Sequence, residues 1–152
     1  MKTINLSNVE TIGDGSCFFH ALFTIFKKYR DMTEQEKKEY IYKFRKTISE
    51  KLTLEDFCSL PIFESLVNHV EDKRPVYEEF VNRLTAPHEW ACHYIISYTA
   101  YLIGVNVIVF DDNKQVILDE TRPDNTPTVY MLLVNGGHFE LLMDKESDQY
   151  IF

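Results

Sequence analysis

The sequence lacks the features that mark membrane, secreted and nucleic-acid-binding chains. No stretch of about 18 apolar residues occurs, so no helical membrane span is expected. Met1 to Asn8 carries a single lysine and no apolar core, so a secretory leader is not expected either. Only three cysteines are present, Cys17, Cys58 and Cys92, far apart in the chain. That argues against a disulfide framework and for a reducing, cytoplasmic setting. Positive charge is scarce: 16 Lys and Arg against 24 Asp and Glu leave a net charge of −8, the wrong sign for gripping a phosphate backbone. Neither nucleic acid nor a membrane is expected as a partner. Glycine and proline number five each and nowhere cluster into a linker, so residues 1–152 read as one domain.

Apolar residues, by contrast, are plentiful. They make up 45% of the 152 positions, and 14% are aromatic, enough to bury about 70% of the unfolded chain's surface. The first half reads as helical. Gly13-Asp14-Gly15-Ser16 is a turn cluster in which Ser16 suits an N-cap. The run from Cys17 to Phe26 is apolar on nearly every side and ends in Lys27-Lys28-Tyr29-Arg30, which predicts a helix through the middle of the core. Thr33 and Glu36 have the spacing of a capping box, and Tyr40, Ile41, Phe44, Ile48 and Leu52 carry the helix to about Leu52. Shorter helices are predicted near Phe63 to His69 and Val76 to Leu84, and another from about Trp90 to Ile103, closed by Gly104.

The second half turns to strands. Val105 to Phe110 runs into an Asp111–Lys114 turn, and Val116 to Leu118 is placed to pair back on it. Val129 to Val134 and Phe139 to Met143 flank the turn Asn135-Gly136-Gly137-His138. The pattern is that of an α+β (mixed α/β) domain, with helices packed around a small, mostly antiparallel central sheet.

Two segments carry reactive chemistry. Cys17 follows a glycine-rich turn at a helix N-terminus, where about half a unit of positive charge favours thiolate over thiol. The amides of the Asp14–Ser16 loop are placed to face a negatively charged oxygen. Read alone, Cys17 is either a nucleophile or a small buried hydrophobe. His138 stands at a turn that opens a strand, and Glu140, two residues on, points to the same face. Such a pair suits a general base and the carboxylate that orients it; read alone, both are also ordinary solvated residues. His20 leans over the same helix face as Cys17 and reads as structural. Cys58, Cys92, His69, His88 and His93 show no zinc-ligand spacing, so no metal site is expected.

Asp14-Gly15-Ser16-Cys17-Phe18-Phe19-His20-Ala21 resembles the cysteine box of the ovarian-tumour (OTU) deubiquitinases, whose pattern is Asp-Gly-x-Cys-(Leu/Phe)-(Phe/Tyr)-(Arg/His)-Ala. Asn135-Gly136-Gly137-His138-Phe139-Glu140 resembles that family's histidine box, and Glu89-Trp90 with the following helix and strand is similar to its tryptophan-led segment. The resemblance runs from about Thr11 to Met143. It implies a papain-like OTU cysteine protease fold and a cofactor-free, monomeric isopeptidase acting on ubiquitin or a ubiquitin-like protein and its conjugates. It implies a cytoplasmic site of action, the host's if the chain belongs to a pathogen. By the same resemblance Cys17 is the nucleophile, His138 the general base, and Asp14 with its neighbouring amides the oxyanion loop. Gly15, Ser16, Trp90, Gly137 and Phe139 would line the substrate path, with Trp90 and Phe139 as its walls. The chain departs from the family in Ala91-Cys92-His93-Tyr94 after the tryptophan and in Glu140 where Asp or Asn is common. The orienter is therefore Glu140 or an upstream side chain, Asn5, Asn8 or Glu10. The alternatives to a deubiquitinase are a catalytically weak or inactive ubiquitin-binding module and a protease that processes a viral polyprotein.

Overall fold

In the computed structural model, residues 6–120 and 126–152 are described. A five-stranded sheet runs in the order β1-β5-β4-β2-β3, built from β1 (Leu6–Val9), β2 (Asn106–Phe110), β3 (Val116–Glu120), β4 (Thr128–Val134) and β5 (His138–Asp144). Three neighbouring pairs are antiparallel, and β2 lies parallel to β4 with Val107 opposite Val129. The expected α+β class and mostly antiparallel sheet are what the structure has. The β2–β3 and β4–β5 hairpins fall at the turns read from the sequence. The first strand was not anticipated: β1 holds only four residues, too few to display an alternation, and it exists because β5 offers it a ladder from Leu141 to Asp144.

The helices are α1 (Cys17–Phe23), α2 (Lys27–Arg30), α3 (Glu34–Lys51), α4 (Leu54–Ser59), α5 (Glu64–Val67), α6 (Arg74–Thr85) and α7 (His93–Ile103), with a short 3₁₀ turn at Pro61–Phe63. The capping box forms as read: the Glu36 amide donates to the Thr33 hydroxyl at 3.2 Å, and the Thr33 amide donates to the Glu36 carboxylate at 3.0 Å. Gly104 closes α7 in the left-handed region at φ +84. Two expectations need correction. The first helix stops at Phe23 rather than Phe26, because the chain extends at Phe26 and Arg30 donates to the Thr24 carbonyl at 2.8 Å, folding the next turn back. Trp90 precedes α7 instead of opening it, since α7 starts at His93 after an extended Cys92.

Helix α1 is buried on all sides because it separates two cores. Phe18, Ala21 and Leu22 face the sheet residues Val107, Met131 and Leu141. Phe19 and Phe23 face the opposite way, into a cluster of helical side chains. Within that cluster the ring of Phe63, fully buried, meets those of Phe57 at 4.6 Å, Phe80 at 4.9 Å and Tyr98 at 5.6 Å. Phe63→Ala is expected to cost about 3–5 kcal/mol of folding stability. Urea unfolding should show a lower midpoint with an unchanged slope; a midpoint equal to wild type would mean that this cluster contributes no stability.

Candidate active site

Cys17 is the first residue of α1, and its amide donates to the Asp14 carbonyl at 3.1 Å, closing the turn that precedes the helix. The residue is 4% exposed. Its sulfur lies against the main chain on either side of His138: the thiol is 4.0 Å from the Gly137 carbonyl, and the Phe139 amide is directed at the sulfur. The half-buried His138 opens β5, and a Cβ placed on Gly13 would stand 3.8 Å from its Cε1. The two ends of the chain thus bring Cys17 and His138 to one place. Among the described residues, no hydrogen bond joins the two side chains at rest.

Burial pushes the Cys17 thiol above its ordinary pKa, and the Asp14 carboxylate adds to the rise. The amides of Phe139, Phe18 and Cys17 pull the other way without offsetting it. The expectation of a thiolate held by the helix N-terminus is therefore reversed. Seven residues of helix do not outweigh the desolvation that raises the thiol pKa.

Two of the candidate orienters, Asn8 and Glu140, are joined to each other. Asn8 donates through Nδ2 to Glu140 Oε1 at 3.0 Å across β1 and β5. Glu140 shares the His138 face of β5 as expected, with one carboxylate oxygen held by Asn8. Glu10 is exposed beyond the end of β1, and Asn5 lies outside the described residues.

The loop before Cys17 is held from behind. One Asp14 carboxylate oxygen accepts the Ser16 amide at 2.8 Å and the other accepts Nε2 of His20 at 3.2 Å. The Tyr29 hydroxyl is hydrogen-bonded to Nδ1 of His20. Burial lowers the His20 pKa despite the pull of Asp14, which favours the neutral ring that gives Nε2–H to Asp14 and accepts at Nδ1. Burial likewise pushes the Tyr29 phenol up, so it keeps its proton. His20 is structural, as read, and its role is to fix Asp14. The amides of Ser16 and Cys17 are engaged within the loop. Those of Asp14 and Gly15 have no acceptor among the described residues.

The expected substrate-path residues divide. Gly15 packs on residue 88: a Cβ there would fall 2.4 Å from the His88 Cα, so only glycine fits. Gly137 lies under the indole of Trp90, where a Cβ would fall 2.9 Å from the ring. Trp90 itself is 57% exposed, spanning the rim. Phe139 is not a wall. Its side chain alternates away from His138, is 8% exposed and packs edge-on against Phe18 at 5.7 Å. Ser16 does not face a substrate either, since its hydroxyl donates to the Pro87 carbonyl at 2.8 Å and accepts from Arg45 at 2.9 Å.

Arg45 escaped the sequence reading, as did Tyr29. The signal was available: Arg45 falls four residues after Ile41 and three before Ile48, on the buried stripe of α3, where a charged residue is out of place.

No protein-family model matches the chain, and no curated protein matches it in sequence. Solved structures do match. An OTU domain in complex with ubiquitin superposes with a TM-score of 0.67 at 16% identity, covering 97% of this chain and 74% of that one. The viral OTU domain protease of Taggert virus gives 0.65 at 12% identity over 95% of this chain and 83% of that one. An OTU deubiquitinase from Wolbachia pipientis gives 0.57 at 16% identity over 93% and 90%. The backbone that seats Cys17 against the strand of His138 therefore shares the fold of OTU domains.

Proposed function

We propose that residues 1–152 form one catalytic domain, a cysteine isopeptidase that cleaves after the C-terminal glycine of ubiquitin or a ubiquitin-like modifier. The observation that carries this reading is the seat of the Cys17 sulfur between the Gly137 carbonyl and the Phe139 amide, at the base of the His138 side chain. The structural likeness to an OTU domain bound to ubiquitin supports the substrate class.

His138 takes the thiol proton as Cys17 attacks the glycine carbonyl, forming the carbon–sulfur bond. The amides of Asp14 and Gly15 receive the negative oxygen, each donor contributing about 3 kcal/mol. The imidazolium then returns the proton to the departing lysine amine as the carbon–nitrogen bond breaks. Water, activated by the same imidazole, hydrolyses the thioester and frees the carboxylate. The Trp90 indole packs on Gly137 beside the Cys17 seat, and a narrow approach there would suit the paired glycines at the end of ubiquitin. A net charge of −8 suits the two arginines that precede them.

Cys17→Ala should abolish both cleavage of di-ubiquitin and labelling by a ubiquitin C-terminal electrophile. His138→Ala should slow turnover by about 10²–10⁴-fold. Cleavage at the native rate by the Cys17 variant would reject the assignment.

Because Asn8 and Glu140 share a hydrogen bond, Glu140→Ala and Asn8→Ala should each lower kcat far less than His138→Ala does. The double variant should be no slower than the worse single one. Losses that multiply would show that the two act on His138 separately.

The raised thiol pKa has its own signature. Alkylation of free Cys17 by iodoacetamide should keep accelerating as pH rises through and beyond the ordinary thiol range. A rate that levels off below neutrality would indicate a preformed thiolate–imidazolium pair instead.

A further inference from the structure

Arg45 is the largest fully buried side chain, at 0% exposure, and its guanidinium is hydrogen-bonded on every nitrogen. Nε donates to the Leu84 carbonyl at 2.8 Å, Nη1 to the Ser16 hydroxyl at 2.9 Å, and Nη2 to the carbonyls of Arg83 at 2.9 Å and Glu89 at 3.2 Å. Phe19 of α1 lies beneath it, the guanidinium carbon 4.6 Å from the ring centroid. Every acceptor is neutral, so no carboxylate directly compensates the charge. Burial lowers its pKa to about 10, which still leaves a cation at neutral pH.

These contacts join the loop before Cys17 to the segment that runs from the end of α6 to Trp90. Ser16 immediately precedes Cys17 in the loop whose Asp14 and Gly15 amides remain free of acceptors. The carbonyls of residues 83, 84 and 89 belong to the segment that ends α6 and leads to Trp90. The Ser16 hydroxyl, receiving a hydrogen from Arg45, passes its own to Pro87 in that same segment. Gly15 then meets residue 88 at backbone contact.

We propose that Arg45 is a positioning residue for the isopeptidase reaction, fixing the oxyanion loop against the Trp90 segment through the hydroxyl of Ser16. The assignment rests on the reaction proposed above. It predicts a loss of transition-state stabilisation with little loss of ubiquitin binding, because the loop donors meet the oxygen only once charge has developed on it.

The test uses the full chain and a fluorogenic ubiquitin C-terminal amide, with active sites counted by a ubiquitin electrophile so that unfolded protein is not scored. Ser16→Ala should lower kcat per active site about tenfold with KM within about twofold, as expected for a misplaced oxyanion donor. Arg45→Lys keeps the charge but loses the planar fork that reaches several acceptors, and it should show the same split. The double variant should be no slower than the slower single one. Where Arg45→Lys fails to fold, Ser16→Ala decides alone. A native kcat for Ser16→Ala, a loss confined to KM, or losses that multiply in the double variant would each overturn the role of Arg45. A wild-type chain that neither cleaves nor labels would overturn the isopeptidase reading itself and this role with it, a result distinct from an active wild type with indifferent variants.

Discussion

The position of the sulfur is set by the burial of α1 on both faces. A helix that packed on one side only would be free to slide or tilt along the sheet. Here Phe18 and Leu22 are committed to the strands while Phe19 and Phe23 are committed to the helices, so its register and rotation are both fixed. The first residue of that helix then has one place to go, against the main chain at the start of β5. Everything the proposed chemistry asks of geometry follows from this packing rather than from any bond between Cys17 and His138.

The same burial has an electrostatic consequence. Taking a thiol out of water favours its neutral form, and a buried imidazole is likewise driven towards neutrality. For His20 that outcome is useful, because only the neutral ring donates to Asp14 while accepting from Tyr29, and the carboxylate so held organises the turn. For Cys17, burial raises the thiol pKa, and the proposed reaction has the thiol proton pass to His138.

Local signals in the chain were enough for much of this arrangement. The capping box at Thr33, the glycine stop at Gly104 and the turns before β3 and β5 each rest on interactions within a few residues, and each is where the sequence places it. The cysteine and histidine boxes are local patterns too, and the fold brings Cys17 against the start of the strand that His138 opens. What depends on distant partners could not be read. β1 is a strand only through β5, the end of α1 depends on Arg30 reaching back to Thr24, and the inward turn of Phe139 follows from a pleat whose phase is set by the sheet. The thiol pKa was misjudged for the same reason: the helix N-terminus is visible in sequence, whereas the depth at which it is buried is not.

Arg45 shows what such a distant constraint can do that an apolar residue cannot. A buried cation is costly, and a well-packed aliphatic side chain at the same place would often be at least as stable. Yet no aliphatic side chain gathers carbonyls. The Arg83 and Leu84 oxygens belong to the last turn of α6, where unsatisfied acceptors carry the negative end of the helix dipole, and a guanidinium both satisfies and neutralises them. Its planar fork leaves one nitrogen to hold Ser16 in the neighbouring loop, at a distance and angle fixed by the other three bonds. Stability alone does not require that fourth contact. A loop that must stay fixed against the Trp90 segment does, because the proposed reaction needs the Asp14 and Gly15 amides held in one place.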